Sequence, residues 1–224
     1  MPARQLVLQE NGLSYYVADE SDLERLADFL MEFFMRDEPS VESLDMHRYC
    51  KDPALRGFIV ATLKHSLPSQ LTFLAEQGGK VVGCRVTSIW TPDTHMDFDP
   101  QTVAHTPFKI VLEYLDEIEK GKASLPKDLT RLAKFEFLSV APSHRRYGIG
   151  LKMAQLTEQR ARNVGMQGIL VDATSYKTQQ LFKQMGFEVL NEVVLKDYKN
   201  SNGQQIIKPR DGMTTVGQLC FKRF

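Results

Sequence analysis

The sequence predicts an α/β fold in which helices flank one mixed sheet. Three observations carry that prediction: hydrophobic periodicity switches repeatedly between two and about 3.6 residues; two apolar runs flank a Gly-Gly turn; and two strand-like runs close the chain. The resulting order is strand, helices, hairpin, strand, helix, strand, helix, strand, strand, which is α/β with a mixed sheet.

Leu13 to Ala18, rich in Tyr and Val, reads as the first strand. Ser21-Asp22-Leu23-Glu24 has the spacing of a capping box. Leu23, Leu26, Ala27, Leu30, Phe33 and Phe34 then recur at helical spacing, and Pro39 stops that helix after Asp37-Glu38. Ser43 to Cys50 and Pro53 to Ser66 read as helices separated by Lys51-Asp52-Pro53. Leu71 to Glu76 and Val81 to Trp90 flank Gly78-Gly79 and form the hairpin. Thr91 to Pro107 is a polar surface loop, and Phe108 to Lys120 is a helix closed by Gly121. Leu132 to Val140 is a strong strand, followed by a helix from Gly148 to Val164 that Gly165 ends. Ile169 to Asp172 is a short strand, Tyr176 to Met185 a helix broken by Gly186, and Glu188 to Tyr198 and Thr214 to Lys222 are the closing strands. The chain is expected to form a single domain over residues 1–224, with helical and loop insertions at about 41–66 and 91–130.

Composition narrows the class. Lys+Arg and Asp+Glu balance at 28 each, so no global field steers the chain toward nucleic acid or an anionic membrane. The longest apolar runs, such as Phe58 to Leu63, are too short to span a bilayer, and Met1 to Glu10 lacks the apolar core of a signal peptide. Cys50, Cys84 and Cys220 are widely spaced and form no CxxC pair, which fits a reducing cytoplasm. His47, His65, His95, His105 and His144 show no paired metal spacing, so no metal site is expected.

The chemistry-bearing segment is Arg145-Arg146-Tyr147-Gly148-Ile149-Gly150, between the strand end Leu138-Ser139-Val140-Ala141-Pro142 and a helix. A helix start presents free N–H groups and the positive end of the macrodipole, glycines admit close backbone approach, and arginines add charge. These properties predict a bound anion, specifically a diphosphate, where residues 145–150 turn into the helix. GxGxxG and GxxxxGK[ST] are both absent, which argues against dinucleotide and NTPase sites.

Val-Ala-Pro, the short loop, Arg-x-x-Gly-x-Gly and the later Gln184-Met185-Gly186-Phe187 together resemble the acetyl-CoA signature of the GNAT acetyltransferase superfamily. Phe33-Phe34-Met35-Arg36-Asp37-Glu38-Pro39, Leu195-Lys196-Asp197-Tyr198-Lys199 and Ile206-Ile207-Lys208-Pro209 are similar to segments of insect-type arylalkylamine N-acetyltransferases. The resemblance implies a mostly antiparallel sheet in which a central parallel pair, Leu132 to Val140 and Ile169 to Asp172, splays apart. It implies acetyl-CoA held by Arg145 to Gly150, with Leu138, Ser139 and Val140 beside its pantetheine arm. It implies attack by a small primary amine, expected to be an arylalkylamine, in a ternary complex; polyamines or other amines, and a CoA-binding module without turnover, are the alternatives. Alkylamines titrate near ~10.4, so the attacking amine must first lose a proton. Glu38 falls at the family's base position, at an apolar helix end where the macrodipole disfavours an acid. Thr174 and Thr178 fall where the family pattern has two serines, as donors for the departing thiolate; Tyr176 and Ser175 are nearby alternatives, and Thr174 could equally be a helix N-cap. Phe33, Phe34 and Trp90 are candidates for lining an amine pocket, and the 91–107 loop for enclosing it.

Overall fold

The computed structural model describes residues 4–224. Its sheet has eight strands in the order β1-β2-β3-β4-β5-β6-β8-β7. They are β1 (Leu6–Glu10), β2 (Leu13–Val17), β3 (Phe73–Gln77), β4 (Lys80–Trp90), β5 (Leu132–Val140), β6 (Gly168–Ala173), β7 (Glu188–Val194) and β8 (Val216–Arg223). The helices are α1 (Leu23–Phe29), α2 (Met35–Asp37), α3 (Pro39–Ser43), α4 (Pro53–Ser66), α5 (Phe108–Glu119), α6 (Ile149–Asn163) and α7 (Tyr176–Gln184). The pairing of β5 with β6 is parallel and every other pairing is antiparallel.

Most sequence-derived elements are found, and the differences have local causes. A strand precedes Leu13, because Asn11-Gly12 adopts positive φ (52° and 74°) and turns β1 onto β2 as a tight hairpin. Residues 1–3 of the N-terminal stretch lie outside the described residues. The capping box forms at Asp19 and Asp22 rather than at Ser21 and Glu24, because Asp19 accepts from both the N–H and the hydroxyl of Ser21. Leu30–Phe34 winds as a π-helical turn between α1 and α2, a local widening of the kind that recurs at functional sites. The helix expected over 43–50 resolves into α3 and a 3₁₀ turn at Met46–Tyr49, because Pro39 begins a new helix. Gly121 closes nothing: the chain continues as 3₁₀ turn through Ser124, and Gly121 is needed because a Cβ there would overlap the Asn191 side chain.

Two helical layers cover the sheet. Buried residues of α1, α4 and α5, including Leu26, Ile59, Phe108 and Tyr114, pack on one face with Val86, Phe137 and Leu170. On the other, α6 and α7 bury Met153, Ala154, Ala161 and Phe182 against Phe73, Phe135 and Val171.

The feature that positions the site lies in the sheet itself. Val86 pairs with Phe137 and Thr87 with Phe135, which leaves Glu136 as an extra residue, a β-bulge. Phe135 and Phe137 would share a face in a regular strand; across the bulge they enter opposite cores. At the same level, β5 and β6 part. Their pairing runs Ala133–Ile169, Lys134–Leu170 and Phe135–Val171 and then stops, while β6 continues along β8 through Ala173.

Gly168 offers a test of the β6–β8 packing that holds this geometry. A Cβ there would stand 2.5 Å from the Lys222 carbonyl oxygen, a backbone atom that cannot swing away. Gly168→Ala is therefore expected to destabilise the fold by about 1–3 kcal/mol in urea unfolding; an unchanged midpoint would contradict the described packing.

Candidate active site

Strand parity determines what the gap between β5 and β6 presents. The Ala141 N–H donates to the Val82 carbonyl at 2.9 Å, so that pair is hydrogen-bonded. Antiparallel pairs alternate, which makes Ser139–Cys84 hydrogen-bonded and leaves Leu138–Arg85 and Val140–Gly83 as the other kind. Leu138 and Val140 therefore turn their N–H and C=O groups away from β4 into the gap, and Ser139 does not. The Val140 carbonyl accepts from Arg145 Nε at 3.2 Å, as that orientation requires.

The glycine segment opens at the mouth of the gap. Arg146 (φ 72°) and Gly148 (φ 74°) are left-handed, and no backbone or side-chain acceptor among the described residues takes an N–H from Arg146 to Leu151. The first N–H groups of α6 are among these free donors, and alternating handedness makes a concave nest of such groups. Tyr147 is 75% exposed, whereas the Ile149 side chain is buried against Met153, so Ile149 contributes only its main chain. The surroundings fit a diphosphate: donors converge, Gly148 carries no side chain, and the guanidinium groups of Arg145 and Arg146 lie at the surface.

Glu38 stands at the end of α2, as the sequence leads one to expect, with its N–H bonded to the Phe34 carbonyl at 3.1 Å. It is at the same time the N-cap of α3, whose free N–H groups favour its charge. Oε2 accepts from the Val41 N–H at 2.8 Å and from the Ser40 hydroxyl. Oε1 is buried with no hydrogen-bond partner, although the residue as a whole keeps some exposure. Thr174 approaches the same carboxylate closely enough to favour its ionised form, but not in a bonding geometry with Oε1. Burial dominates and raises the Glu38 pKa above its ordinary value, against the opposing hydrogen bonds of Ser40 and Val41.

The candidate donors separate. Ser175, not Thr174, is the N-cap of α7, and Thr178 completes its capping box with its hydroxyl turned to the Ser175 carbonyl at 2.9 Å. Capping therefore occupies Thr178 and Ser175. Thr174 is left facing Glu38, while the Tyr176 N–H is bonded to Thr214 Oγ1 at 3.0 Å. Phe34 meets Phe137 edge-on (centroids 4.8 Å apart) and Phe33 packs tilted against Phe29 (4.9 Å), so both rings are engaged in core packing. Arg145 also forms an ion pair with Asp37, tying the glycine segment to the residue beside Glu38. Burial pushes the Cys84 and Cys220 thiols up to about 12, which leaves neither a nucleophilic thiolate near neutral pH.

The sequence profile of the Acetyltransferase (GNAT) family matches residues 23–187, most of the chain. The chain belongs to that family. No curated protein sequence matches this GNAT acetyltransferase. Solved structures share its fold. Arylalkylamine N-acetyltransferase 2 from Aedes aegypti superposes with a TM-score of 0.79 at 20% identity, covering 95% of this chain and 99% of that one. Drosophila melanogaster polyamine N-acetyltransferase gives 0.73 at 20% identity over 95% and 100%. An agmatine N-acetyltransferase mutant in its apo form gives 0.74 at 20% over 96% and 100%. Among the described residues of the GNAT chain, no helix is long and apolar enough to cross a membrane.

Two further residues with buried, unpartnered oxygens, Tyr114 and Asp172, are not singled out by the sequence. Tyr114 sits at a core position of α5, indistinguishable by periodicity from a packing aromatic. Asp172 did leave a signal, as the one acid in the apolar run Ile169-Leu170-Val171-Asp172-Ala173.

Glu38 caps a helix and also sits buried, and two variants separate those roles. Its pKa is raised on folding, so the stability it contributes is complete below about 4.5, its ordinary value, and is lost as pH rises through the raised value. Glu38→Gln keeps an acceptor for Val41 and removes the titration. Its stability relative to the parent is expected to improve between pH 4.5 and 7.5, whereas Glu38→Ala should lose about 1 kcal/mol of capping. A pH-independent difference between parent and Glu38→Gln in urea unfolding would refute the buried, titrating carboxylate.

Proposed function

We propose that this acetyltransferase moves the acetyl group of acetyl-CoA to a small primary amine by direct attack in a ternary complex. One observation carries the reading: the buried, unpartnered oxygen of Glu38 lies beside Thr174 at the gap where the free N–H groups of 146–151 and the outward main chain of Leu138 and Val140 converge. The donor half and the proton-accepting half of such a reaction thus meet at one opening.

Each group has a chemical task in this reading. The N–H groups from Arg146 to Gly150 and the Arg145 and Arg146 side chains hold the diphosphate. Leu138 and Val140 bond the amides of the pantetheine arm as a missing β-strand would, and an outward N–H can stabilise the oxyanion that develops on the thioester carbonyl. The incoming amine arrives protonated, and Glu38 accepts its proton directly or through one water; a raised pKa makes the carboxylate a better base near neutral pH. The Thr174 hydroxyl, free of helix capping, is the nearest of the candidate donors to that carboxylate and serves the departing thiolate. The arylalkylamine expectation draws support from the Aedes aegypti likeness, but Phe33 and Phe34 give less of their rings to a pocket than the sequence suggested. The polyamine and agmatine enzymes among the similar structures support the broader class, a small primary amine.

Release of free CoA thiol, followed from pH 6 to 9, tests this reading. The parent's kcat/KM should rise with pH along a limb set above the ordinary carboxylate value. Glu38→Gln should lower the rate by about 10²- to 10⁴-fold and remove that limb, while acetyl-CoA binding is retained. Gly148→Trp should abolish acetyl-CoA binding. An unaltered pH profile in Glu38→Gln would take Glu38 out of the mechanism, and binding without thiol release from any amine would favour a module without turnover.

A further inference from the structure

The helix-covered face of the gap carries a polar band that proton transfer by Glu38 does not use. Ala173 enters the core under α6 and α7, so Asp172 and Thr174 project to the opposite face, toward α5 and Glu38. Lys134 lies on that same face. It forms ion pairs with Asp172 Oδ2 at 2.9 Å and with Glu119. The neighbouring Glu136 accepts from Ser88 at 2.6 Å, and Lys122 bonds Glu119 at 2.7 Å. Lys134 and Lys122 thus lie among four carboxylates, Asp116, Glu119, Glu136 and Asp172. Burial works against the charge of Lys134, but Asp172 and Glu136 outweigh it and raise its pKa.

Within this band two further oxygens lack partners. Asp172 Oδ1 is buried and accepts no hydrogen bond, and Tyr114 is fully buried with its hydroxyl unpaired. Tyr114 reaches this level of the sheet because β8 has Gly217 there: a Cβ would overlap the phenol oxygen. The register Ala173–Gln218 places Gly217 one step further along β8, beside Thr174. Burial, and after it the charges of Glu38, Tyr198 and Asp172, raise the Tyr114 pKa, so the phenol shares one electrostatic environment with both carboxylates.

Unpaired buried acceptors are rare in native proteins and point to a missing donor. A protonated amine or guanidinium offers several donors and no acceptor, and its charge suits the acidic excess. An arylalkyl tail offers neither and would leave Asp172 Oδ1 desolvated. We propose that Asp172 and Tyr114 form a second cation subsite beside Glu38 and Thr174, so that the preferred acceptor is an aliphatic diamine or amino-guanidine. One nitrogen is acetylated while the other remains charged against Asp172. This rests on the amine-acetyltransferase reading above and specifies its substrate class.

Initial rates of thiol release with saturating acetyl-CoA provide the test, using butylamine, phenethylamine and tryptamine against 1,4-diaminobutane and agmatine. The parent should favour the dications over butylamine in kcat/KM by about 10- to 100-fold, the scale of a hydrogen bond to a charged group. Asp172→Asn should raise KM for the dications by a similar factor, leaving the butylamine KM and the acetyl-CoA KM in place. Tyr114→Phe removes only the phenol oxygen and keeps the packing, so a parallel, smaller rise in KM with an unchanged melting temperature guards against misfolding of Asp172→Asn. Phenethylamine or tryptamine turned over as well as the dications, or an Asp172→Asn effect equal on all amines, overturns the subsite while leaving amine acetylation intact. Acetyl-CoA binding with no amine turned over overturns both.

Discussion

The rest of the structure depends on the parting of β5 and β6 after Phe135 and Val171. Parallel strands held together by backbone bonds would leave no unpaired main chain in the middle of a sheet, because unpaired groups buried there are costly. Here the bulge at Glu136 re-aims β5 just as its pairing ends, and β8 continues to satisfy β6 on its other side. The outcome is an opening lined by main-chain groups in strand geometry. Both helical layers are positioned around it: α6 sets its free N–H groups at the mouth, and the α2–α3 junction brings Glu38 to the far side.

A second constraint couples the two halves. Glu38 can be buried because α3 begins immediately after it, with the Val41 N–H and the Ser40 hydroxyl bonded to one carboxylate oxygen. Its other oxygen is left free at the opening. Ser175 and Thr178 bond each other at the start of α7 and so leave Thr174 as the hydroxyl beside that carboxylate. The Asp37–Arg145 ion pair connects the segment before Glu38 with the glycine turn. Exposed pairs of this kind contribute about 0–1 kcal/mol, so its significance is positional rather than a matter of fold stability.

Much of the fold was legible in the sequence where the signal is local. Leu132–Val140 and Pro53–Ser66 follow from apolar periodicity and flanking breakers, and Gly165 and Gly186 end their helices in the left-handed region as expected. The glycine turn was legible for the same reason, since its geometry is set by residues adjacent in the chain. What escaped were features decided by tertiary context. The bulge at Glu136 leaves no mark in the alternation of Leu132–Val140, and the role of Pro39 as a helix start depended on Glu38 folding back as its cap. Asp172 and Tyr114 come together only through the β6–β8 register and the absence of a side chain at Gly217. Among the two threonines, sequence offered both as donors; the capping box of Ser175 distinguishes them.

The central claim is that the gap between β5 and β6 receives the acyl donor through main-chain groups. Amide hydrogen exchange resolved by residue, with and without CoA, tests it most directly. New protection is expected at Leu138, at Val140 and across 146–151, with Ser139, already bonded to β4, little changed. Protection confined to other parts of the chain, or equal along the whole of β5, would contradict it.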